Sequence, residues 1–518
     1  MRHVFSWFRV VDAVIVSQHL TKRVDVRLVY KLEFPYRYRE FSHQTSRNMP
    51  PKGKRKARQE TPDRDDGRVS PPPVKRSNAA SGPSSSSAAA SFFTPLSQKA
   101  PPIEFVKHGS LLAASWEPGV SSKTTTATHI HKSVTASGSK TTASSIVTTE
   151  TSTGPSEPMK DGKVKFAGFD LDSNLISTKS GNKFGKDGED WKWWHPTVPS
   201  KLRQMFDDGY RLVIFTNQNG LKASGSKADE KLKEWKKKIN YIVTALSLPI
   251  HVYAATETDI YRKPRTGMFE HYLSELGEDA AFIDMDSSVF VGDAAGRKGD
   301  FSAGDRKFAE NLGIKFLTPE ELFLDEKPMP YEFDLDPVSF PRSALGPDFE
   351  KKYPLELVVL CGRPGAGKST LTTKYLEPLG YERINQDILK TRDKCVKAAE
   401  GHLKEGQSVV IDATNSAKDV RAVWKALADK VKGVTFRCIY LTTSEVVCYH
   451  NDGVRAYSGI SSLNPEKRTS VGSMAFKTFK SKFQEPDLGE GFKDITVVDF
   501  EFRGTDAEFD VWKRHWAP

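Results

Sequence analysis

Short apolar runs and amphipathic segments alternate along the chain after residue 163. Residues 164–171, 212–216 and 289–292 are apolar runs, which predict buried strands. Between them, residues 227–246 carry apolar side chains at helical spacing, which predicts an amphipathic helix. Strands that alternate with helices predict a parallel sheet with functional residues at the carboxyl ends of its strands.

The same pattern begins again after a proline-rich stretch, residues 327–347. Apolar runs at residues 355–361, 409–412 and 434–441 predict the strands of a second sheet. The predicted fold class is therefore α/β, with two doubly wound parallel-sheet domains. The predicted boundaries are 161–326 for the first domain, 327–352 for a linker and 353–518 for the second domain.

Residues 1–160 show neither pattern and predict a disordered basic tail rich in serine, threonine and proline. Its Ser and Thr runs cannot bury enough apolar surface to offset chain entropy. One apolar island at residues 111–116 is interpreted as a weakly ordered patch, with a partner-docking segment as the alternative.

Basic clusters in this tail favour a nuclear protein. Residues 52–58, followed by residues 71–76, resemble a nuclear-import signal. Residues 1–48 are basic and poor in acids, which fits a mitochondrial presequence or upstream sequence joined to a start at Met49. We therefore expect nuclear localisation with room for a mitochondrial pool.

Composition adds a weak preference for a polyanionic partner. The 518 residues include 77 Lys and Arg against 66 Asp and Glu, a formal net charge of +11. Such an excess alone is usual for a solvated surface, and it gains weight only beside phosphate-binding motifs.

The four cysteines form no C-x-x-C pair, which excludes a disulfide framework or a cysteine zinc site. No apolar run approaches the roughly 18 residues needed to span a membrane, so no membrane partner is expected.

Paired carboxylates follow the first predicted strand. In Asp170-Leu171-Asp172, one carboxylate is placed to attack phosphorus while the other protonates the leaving oxygen and later deprotonates water. Such a pair requires Mg²⁺ with further oxygen ligands. Asp170 and Asp172 are themselves predicted Mg²⁺ ligands. Asp293 and, beyond it, Asp300 follow a later strand and are the predicted additional ligands.

Thr216 and Lys263 lie between these acidic groups along the chain. The order Asp-x-Asp, Thr, Lys, Asp resembles the haloacid-dehalogenase phosphatase superfamily. The resemblance implies that Asp170 is the nucleophile and Asp172 the general acid and base. It also implies that Thr216 and Lys263 hold the phosphoryl oxygens and that Asp293, with Asp300, holds Mg²⁺. The superfamily pattern continues Gly-Thr where this chain has Ser173-Asn174, so the turn is built differently here.

A phosphate-binding loop follows the first strand of the second domain. Its residues are Gly362, Arg363, Pro364, Gly365, Ala366, Gly367, Lys368, Ser369 and Thr370. The pattern G-x-x-x-x-G-K-[ST] lets backbone amides close on the phosphates of a nucleotide such as ATP. Lys368 is expected to reach the β- and γ-phosphates, and Ser369 to bind Mg²⁺.

Residues beyond this loop favour a kinase. Asp387 follows the next predicted strand, where a carboxylate can take a proton from an acceptor hydroxyl. Asp412 ends the third strand, near the phosphates. Arg455, on a later basic helix, is the predicted lid residue that contacts the transferring phosphate.

With these motifs in this order, the chain resembles the eukaryotic polynucleotide kinase 3′-phosphatases. Thr216-Asn217-Gln218 and residues 292–297 are the most distinctive matches, and the resemblance extends over residues 164–502. It implies repair of DNA strand breaks: removal of 3′-phosphates and ATP-dependent phosphorylation of 5′-hydroxyls, with Asp387 as the base. Gln386 stands where relatives often have arginine, and the strand spacing of a forkhead-associated domain is not seen. We expect a monomer that acts on DNA ends beside repair scaffold proteins or a ligase.

Three other interpretations remain open. The substrate could be RNA ends, although the phosphodiesterase and ligase domains of such systems are not evident. Ser173-Asn174 leaves room for a DNA-end-binding protein with one degenerate site. A metabolite kinase is the remaining alternative.

Overall fold

Two α/β domains follow one another in the part of the chain that the structure describes. This computed structural model describes residues 102–119, 163–221, 226–343, 346 and 349–517. The predicted import signal and the two interpretations of residues 1–48 lie outside these residues.

The first domain contains nine strands and five α-helices among the described residues. They are, in chain order, β1 (Val106–His108), β2 (Leu111–Trp116), β3 (Lys165–Phe169), β4 (Ile176–Ser177), β5 (Lys192–Trp193), α1 (Val198–Asp207), β6 (Tyr210–Asn217), α2 (Ser226–Leu246), β7 (Ile250–Ala255), α3 (Gly267–Leu276), β8 (Val289–Val291), α4 (Gly304–Leu312), β9 (Lys315–Leu317) and α5 (Pro319–Phe323). Seven strands form one sheet in the order β1-β2-β7-β6-β3-β8-β9. The five neighbouring strands β7, β6, β3, β8 and β9 are parallel, as the alternating pattern predicts.

The apolar island of the predicted tail is a strand of this sheet, which corrects the first domain boundary. β2 pairs antiparallel with β7, so that Leu111 lies opposite Ala255 and Trp116 opposite Ile250. Five of its six side chains are buried, and its hairpin partner β1 forms the edge. Residues 102–119 therefore belong to the folded domain and are not a weakly ordered patch.

Apolar side chains pack on both faces of the first sheet. On one face α1 and α2 cover the strands through Leu202, Trp235 and Ile239, all buried. On the other face α3 and α4 contribute Tyr272 and Phe308. Because both faces are covered, the exposed functional surface is at the strand ends.

The second domain has a five-stranded parallel sheet. Its elements are β10 (Glu356–Cys361), α6 (Lys368–Leu371), β11 (Tyr381–Asn385), α7 (Gln386–Leu389), α8 (Arg392–Lys404), β12 (Ser408–Asp412), α9 (Lys418–Lys430), β13 (Thr435–Leu441), α10 (Glu445–Tyr457), α11 (Ser473–Lys482), β14 (Ile495–Val498) and α12 (Asp506–Trp512). The strand order is β11-β12-β10-β13-β14, and every neighbouring pair is parallel. This confirms the predicted second doubly wound sheet.

The predicted linker contacts both domains. Tyr331 forms a β-bridge with Arg297 of the first domain, and Arg342 forms one with Phe502 of the second. The four cysteines are buried free thiols. Within the described ranges, the helices are too short or too polar to cross a bilayer.

Candidate active sites

Three predicted residues of the first site lie at the carboxyl ends of adjacent strands. Asp170 follows β3, Thr216 is near the end of β6, and Asp293 follows β8. Since β3 is hydrogen-bonded to both β6 and β8, these side chains meet at one edge of the sheet. The backbone amide of Asp170 donates to the carbonyl of Val291 at 2.9 Å, which fixes this register.

A buried lysine lies between the carboxylates. Lys263 Nζ is 2.7 Å from Asp170 Oδ1 and 2.7 Å from Asp305 Oδ1. The side chain of Lys263 is 1% exposed, so both contacts are made away from bulk water. The Lys263 backbone is held from β6, because its amide donates to Asn217 Oδ1 at 2.9 Å. The structure therefore brings the predicted lysine to the predicted nucleophile.

Asp170, Asp293 and Asp305 form a group of potential metal ligands. One carboxylate oxygen from each lies within 4.8 Å of the others. Oxygen donors in such a group suit Mg²⁺, which favours carboxylates. The chemistry of the donor set therefore fits the predicted cation.

Burial and charge crowding shift the titration of this group. Burial raises the pKa of Asp170 and of Asp293, and the neighbouring carboxylates raise both further, against the opposing effect of Lys263. Burial acts to lower the pKa of Lys263, but the charges of Asp170 and Asp305 outweigh it and raise that pKa. The site thus holds more negative charge than its one ammonium group neutralises.

Asp300 was the predicted second ligand from this loop, but the group of potential ligands contains Asp305 in its place. Asp300 Oδ2 accepts hydrogen bonds from Arg297 Nε and from the amides of Ala295 and Arg297. It closes the loop, whereas Asp305, in the first turn of α4, points its carboxylate at Lys263. Spacing alone could not separate the two, because the loop turns back between them.

Asp172 lies outside the buried group and has its own partners. Its carboxylate accepts from Gln218 Nε2 at 2.7 Å and pairs with Lys238 Nζ of α2 at 3.1 Å. Gln218 Nε2 also donates to Thr216 Oγ1 at 3.0 Å. The side chain of Asp172 is 52% exposed. A group that exchanges protons with substrate and water needs this access. In this position, the Asp172 side chain gives no support to its predicted role as a metal ligand.

The Ser173-Asn174 departure is accommodated by the fold. Ser173 has φ of 65°, the left-handed conformation in which glycine is favoured. The buried Asn174 Nδ2 donates to the carbonyls of Asp170 at 2.8 Å and Val291 at 3.1 Å. Asn174 thereby ties the nucleophile turn to β8, so this part of the site is built and not degenerate.

In the second domain the loop after β10 has the conformation of a phosphate cradle. Gly365 and Gly367 have φ of 78° and 91°. A Cβ atom at Gly365 would lie 2.2 Å from the carbonyl oxygen of Cys448, so a side chain is excluded there. Gly367 leads directly into α6, whose first residues are Lys368 and Ser369. Backbone amides at such a helix start favour anions.

Lys368 is buried among backbone carbonyls. Its Nζ donates to Gly362 O at 2.9 Å and to Arg363 O at 2.6 Å. Burial lowers its pKa to about 8. A buried ammonium group held by neutral oxygens is suited to an anionic ligand, and the phosphates of ATP fit this requirement.

Asp412, at the end of β12, joins Ser369 to the sheet. Ser369 Oγ donates to Asp412 Oδ1 at 3.3 Å. The other oxygen of Asp412 accepts from Arg383 Nη2 at 2.6 Å and from Asn385 Nδ2 at 3.0 Å. Ser369 and Asp412 together offer the oxygen donors that fit a nucleotide-bound Mg²⁺.

Asp387 is presented to solvent at the start of α7. Asn385 caps this helix, and its Oδ1 accepts the Asp387 amide at 2.8 Å. Arg468 Nη1 is 3.3 Å from Asp387 Oδ2. Arg468 thus supplies a positive charge beside Asp387. The residue before Asp387, Gln386, is uncharged where relatives often have arginine.

Arg455 and Asp387 line one cleft with the phosphate-binding loop. The cleft measures about 940 Å³. Arg455 pairs through Nη2 with Asp452, while its Nε is buried and makes no hydrogen bond within the described residues. Arg455 lines the cleft, and its predicted contact with the transferring phosphate stays a prediction.

Comparison with known proteins matches both domains. The polynucleotide kinase 3 phosphatase family model matches residues 165–323, and the AAA domain model matches residues 357–486. A bifunctional polynucleotide phosphatase/kinase of Schizosaccharomyces pombe is 44% identical over 341 residues, which cover 65% of this chain and 80% of that protein. The chain belongs to the bifunctional polynucleotide phosphatase/kinase family. This confirms the resemblance of the sequence to that family and both enzyme classes.

Two further relatives are named for the 3′-phosphatase activity alone. A polynucleotide 3′-phosphatase of Arabidopsis thaliana is 38% identical over 176 residues, covering 32% of this chain and 25% of that protein. A polynucleotide 3′-phosphatase of Saccharomyces cerevisiae is 29% identical over 204 residues, covering 30% of this chain and 85% of that protein. Because the polynucleotide kinase 3 phosphatase model matches residues 165–323 and the AAA domain model residues 357–486, the first domain is the phosphatase domain and the second the kinase domain.

Proposed function

We propose that this phosphatase/kinase prepares broken DNA for ligation by removing 3′-phosphates and phosphorylating 5′-hydroxyls with ATP. The observation that carries the proposal is the pairing of two built sites in one chain. One is the Asp170, Asp305 and Lys263 group, and the other is the cleft shared by Lys368 and Asp387. Opposite phosphate chemistries serve one substrate when the two ends of a break both need correction.

In the phosphatase reaction, Asp170 attacks phosphorus and Asp172 transfers the protons. The Asp170 carboxylate forms the new P–O bond while the bond to the 3′-oxygen breaks, and Asp172 gives its proton to that oxygen. Asp172 then takes a proton from water, whose oxygen attacks phosphorus and frees Asp170. Lys263 and Thr216 hold the phosphoryl oxygens. Asp170, Asp293 and Asp305 would hold Mg²⁺, which would neutralise charge on the phosphoryl group.

In the kinase reaction, Asp387 takes the proton of the 5′-hydroxyl. The freed oxygen attacks the γ-phosphorus of ATP, the bond to the β-phosphate oxygen breaks, and ADP leaves. Lys368 and Arg455 donate to the phosphate oxygens, where negative charge develops. Arg468, 3.3 Å from Asp387, keeps that carboxylate oriented at the cleft.

The nucleus is the proposed location, supported by the basic clusters at residues 52–58 and 71–76. The net charge of +11 suits a polyanionic substrate. A single chain carries both sites, so a monomer suffices for the two reactions, and repair scaffold proteins or a ligase are the proposed partners.

Matched DNA and RNA oligonucleotides test the proposal. Each bears a 3′-phosphate or a 5′-hydroxyl, and phosphate release and transfer from labelled ATP are measured. We expect both reactions on DNA, with Asp170→Asn abolishing only release and Lys368→Ala abolishing only transfer. Clear preference for RNA in both reactions would replace DNA with RNA as the substrate, and failure of the wild-type chain on every end would refute the proposal.

A further inference from the structure

The C-terminal segment of the kinase domain contacts the phosphatase loop that carries Lys263. Arg265, two residues after Lys263, donates from Nη1 to the carbonyl of Trp516 at 2.8 Å. Arg265 is 5% exposed, and its Nε donates to the Asp259 carbonyl at the start of the same loop. A buried guanidinium therefore connects the loop to residues 515–517, which we call the C-terminal segment.

Asn311, on α4 of the phosphatase domain, makes a second connection. Its Nδ2 donates both to Pro264 O at 2.9 Å and to His515 O at 2.8 Å. Its Oδ1 accepts the His515 amide at 2.8 Å. One amide side chain thus holds the residue next to Lys263 and, by two hydrogen bonds, the C-terminal segment.

Charged groups of α4 reinforce this contact. His515 Nε2 lies 2.9 Å from Glu310 Oε2, and Lys307 Nζ donates to the Ala517 carbonyl at 3.3 Å. α4 also supplies Asp305, which contacts Lys263. The helix that provides a carboxylate to the phosphatase site is therefore the one that receives the C-terminal segment.

The other end of the connection reaches the phosphate-binding loop. Trp512 Nε1 donates to Asn451 Oδ1 at 2.8 Å, and Asn451 Nδ2 donates to Gly365 O at 3.0 Å. Trp516 packs against Gly453, which lies on α10 as Asn451 does. A Cβ atom at Gly453 would lie 3.1 Å from the Cβ atom of Trp516. The C-terminal segment is thus fixed to the kinase core before it meets the phosphatase domain.

We propose that residues 515–517 position Lys263 for phosphate removal, with Asn311 and Arg265 as the positioning residues. The proposal rests on the phosphatase role of Lys263 given above. The loop of Lys263 is held by Asn217 within the phosphatase sheet, and by the C-terminal segment acting through Asn311, which bonds Pro264, and through Arg265. Because a misplacement of about 1 Å can cost roughly 10²-fold in rate, the second support bears on catalysis and not only on domain docking.

The test compares Asn311→Ala with Asn240→Ala in the full chain. Asn240 is a half-buried asparagine of the same domain, and its Oδ1 accepts the Ile103 amide at 3.0 Å, outside the Lys263 loop. For Asn311→Ala we expect phosphatase kcat to fall by about tenfold or more, within the range for a misplaced group. We expect KM for the oligonucleotide and kinase kcat to stay within about twofold. Asn240→Ala should leave phosphatase kcat within the same twofold.

Binding of orthovanadate, which can adopt the trigonal-bipyramidal geometry of the phosphoryl-transfer transition state, separates positioning from loss of folded protein. Since Lys263 holds phosphoryl oxygens, Asn311→Ala should weaken vanadate binding by about the factor lost in kcat/KM, with the same number of binding sites per chain. Unchanged vanadate affinity and kcat in Asn311→Ala would overturn the proposal. A fall in the number of sites at unchanged affinity would also overturn it, since that is local unfolding.

Arg265 provides an independent variant. Arg265→Gln should lower phosphatase kcat, and Arg265→Lys, which keeps a cationic donor, should recover part of it. Equal activity of both variants and wild type would contradict the positioning role. A wild-type chain with no phosphatase activity would instead contradict the proposed function, so the two failures are distinguishable.

Discussion

At the scale of the residue, one ammonium group among three carboxylates sets the chemistry of the phosphatase site. Lys263 contacts Asp170 and Asp305, and Asp293 completes the group. Three carboxylates and one ammonium sum to a formal charge of −2, which a divalent cation would neutralise. Burial is the first cause of the raised pKa of Asp170 and of Asp293. The neighbouring carboxylates raise both values further, because negative charge exceeds positive charge in this group.

Asp305→Asn should weaken the binding of the Mg²⁺ that phosphate release requires. We expect the half-saturating Mg²⁺ concentration to rise by about 10- to 100-fold, the range for lost carboxylate support at metal sites. Kinase activity should not change. Asp300→Asn is the matched control, because its carboxylate bonds to Arg297 and backbone amides. An equal or larger effect of Asp300→Asn would return the ligand role to Asp300.

The affinity of the kinase site for ATP should fall at alkaline pH. The pKa of Lys368 is lowered to about 8 by burial, and bound phosphates favour its charged form. Below that pH the lysine is already protonated, so affinity is constant. Above it, binding must take up a proton, and affinity falls by up to about tenfold per pH unit.

Calorimetry with a non-hydrolysable ATP analogue between about pH 7 and pH 9.5 measures this dependence, bracketing the shifted lysine pKa. Lys368→Met should bind more weakly and with a flatter profile. A wild-type affinity that stays constant across the range would show that Lys368 does not titrate there.

At the scale of the element, β2 makes an N-terminal segment part of the phosphatase domain. Its six residues extend the parallel strands by one antiparallel pairing with β7. Trp116, 4% exposed, packs in the core with α1 and α2. β2, which supports this edge of the sheet, therefore precedes the predicted start of the domain at residue 161.

Trp116→Ala should destabilise the phosphatase domain by about 3–5 kcal/mol, the usual cost of truncating a buried tryptophan. Ser115→Ala, at an exposed position of the same strand, should cost less than about 0.5 kcal/mol. Urea titrations that follow phosphatase and kinase activity separately distinguish the two domains. A phosphatase midpoint equal to that of wild type in Trp116→Ala would show that β2 adds no stability.

Local patterns predicted most elements, and long-range contacts explain what they missed. The strands β3, β6, β8, β10 and β12 are apolar runs followed by functional residues, so sequence alone located Asp170, Lys368 and their neighbours. β2 was missed because its partner β7 lies far along the chain, and a single apolar island does not reveal a partner. Asp305 was missed because nothing in the local pattern shows which acid of the loop turns toward Lys263.

At the scale of the whole molecule, the chain combines two sheets whose strand ends carry opposite phosphate chemistries. Their order follows from the sequence, whereas the N-terminal boundary of the first domain does not. The contact of residues 515–517 with Arg265 and Asn311 does not follow from the sequence, because it depends on how separate domains pack. Linker residues 331 and 342 also join the domains through β-bridges.

Sealing of a DNA nick with a 3′-phosphate and a 5′-hydroxyl tests the central claim most directly. In the presence of Mg²⁺, ATP and a DNA ligase, the wild-type chain should make the nick sealable. Asp170→Asn and Lys368→Ala should each fail alone, and a mixture of the two variants should restore sealing because each supplies the activity that the other lacks. Sealing by either variant alone, or no sealing by the mixture and the wild type, would contradict the account.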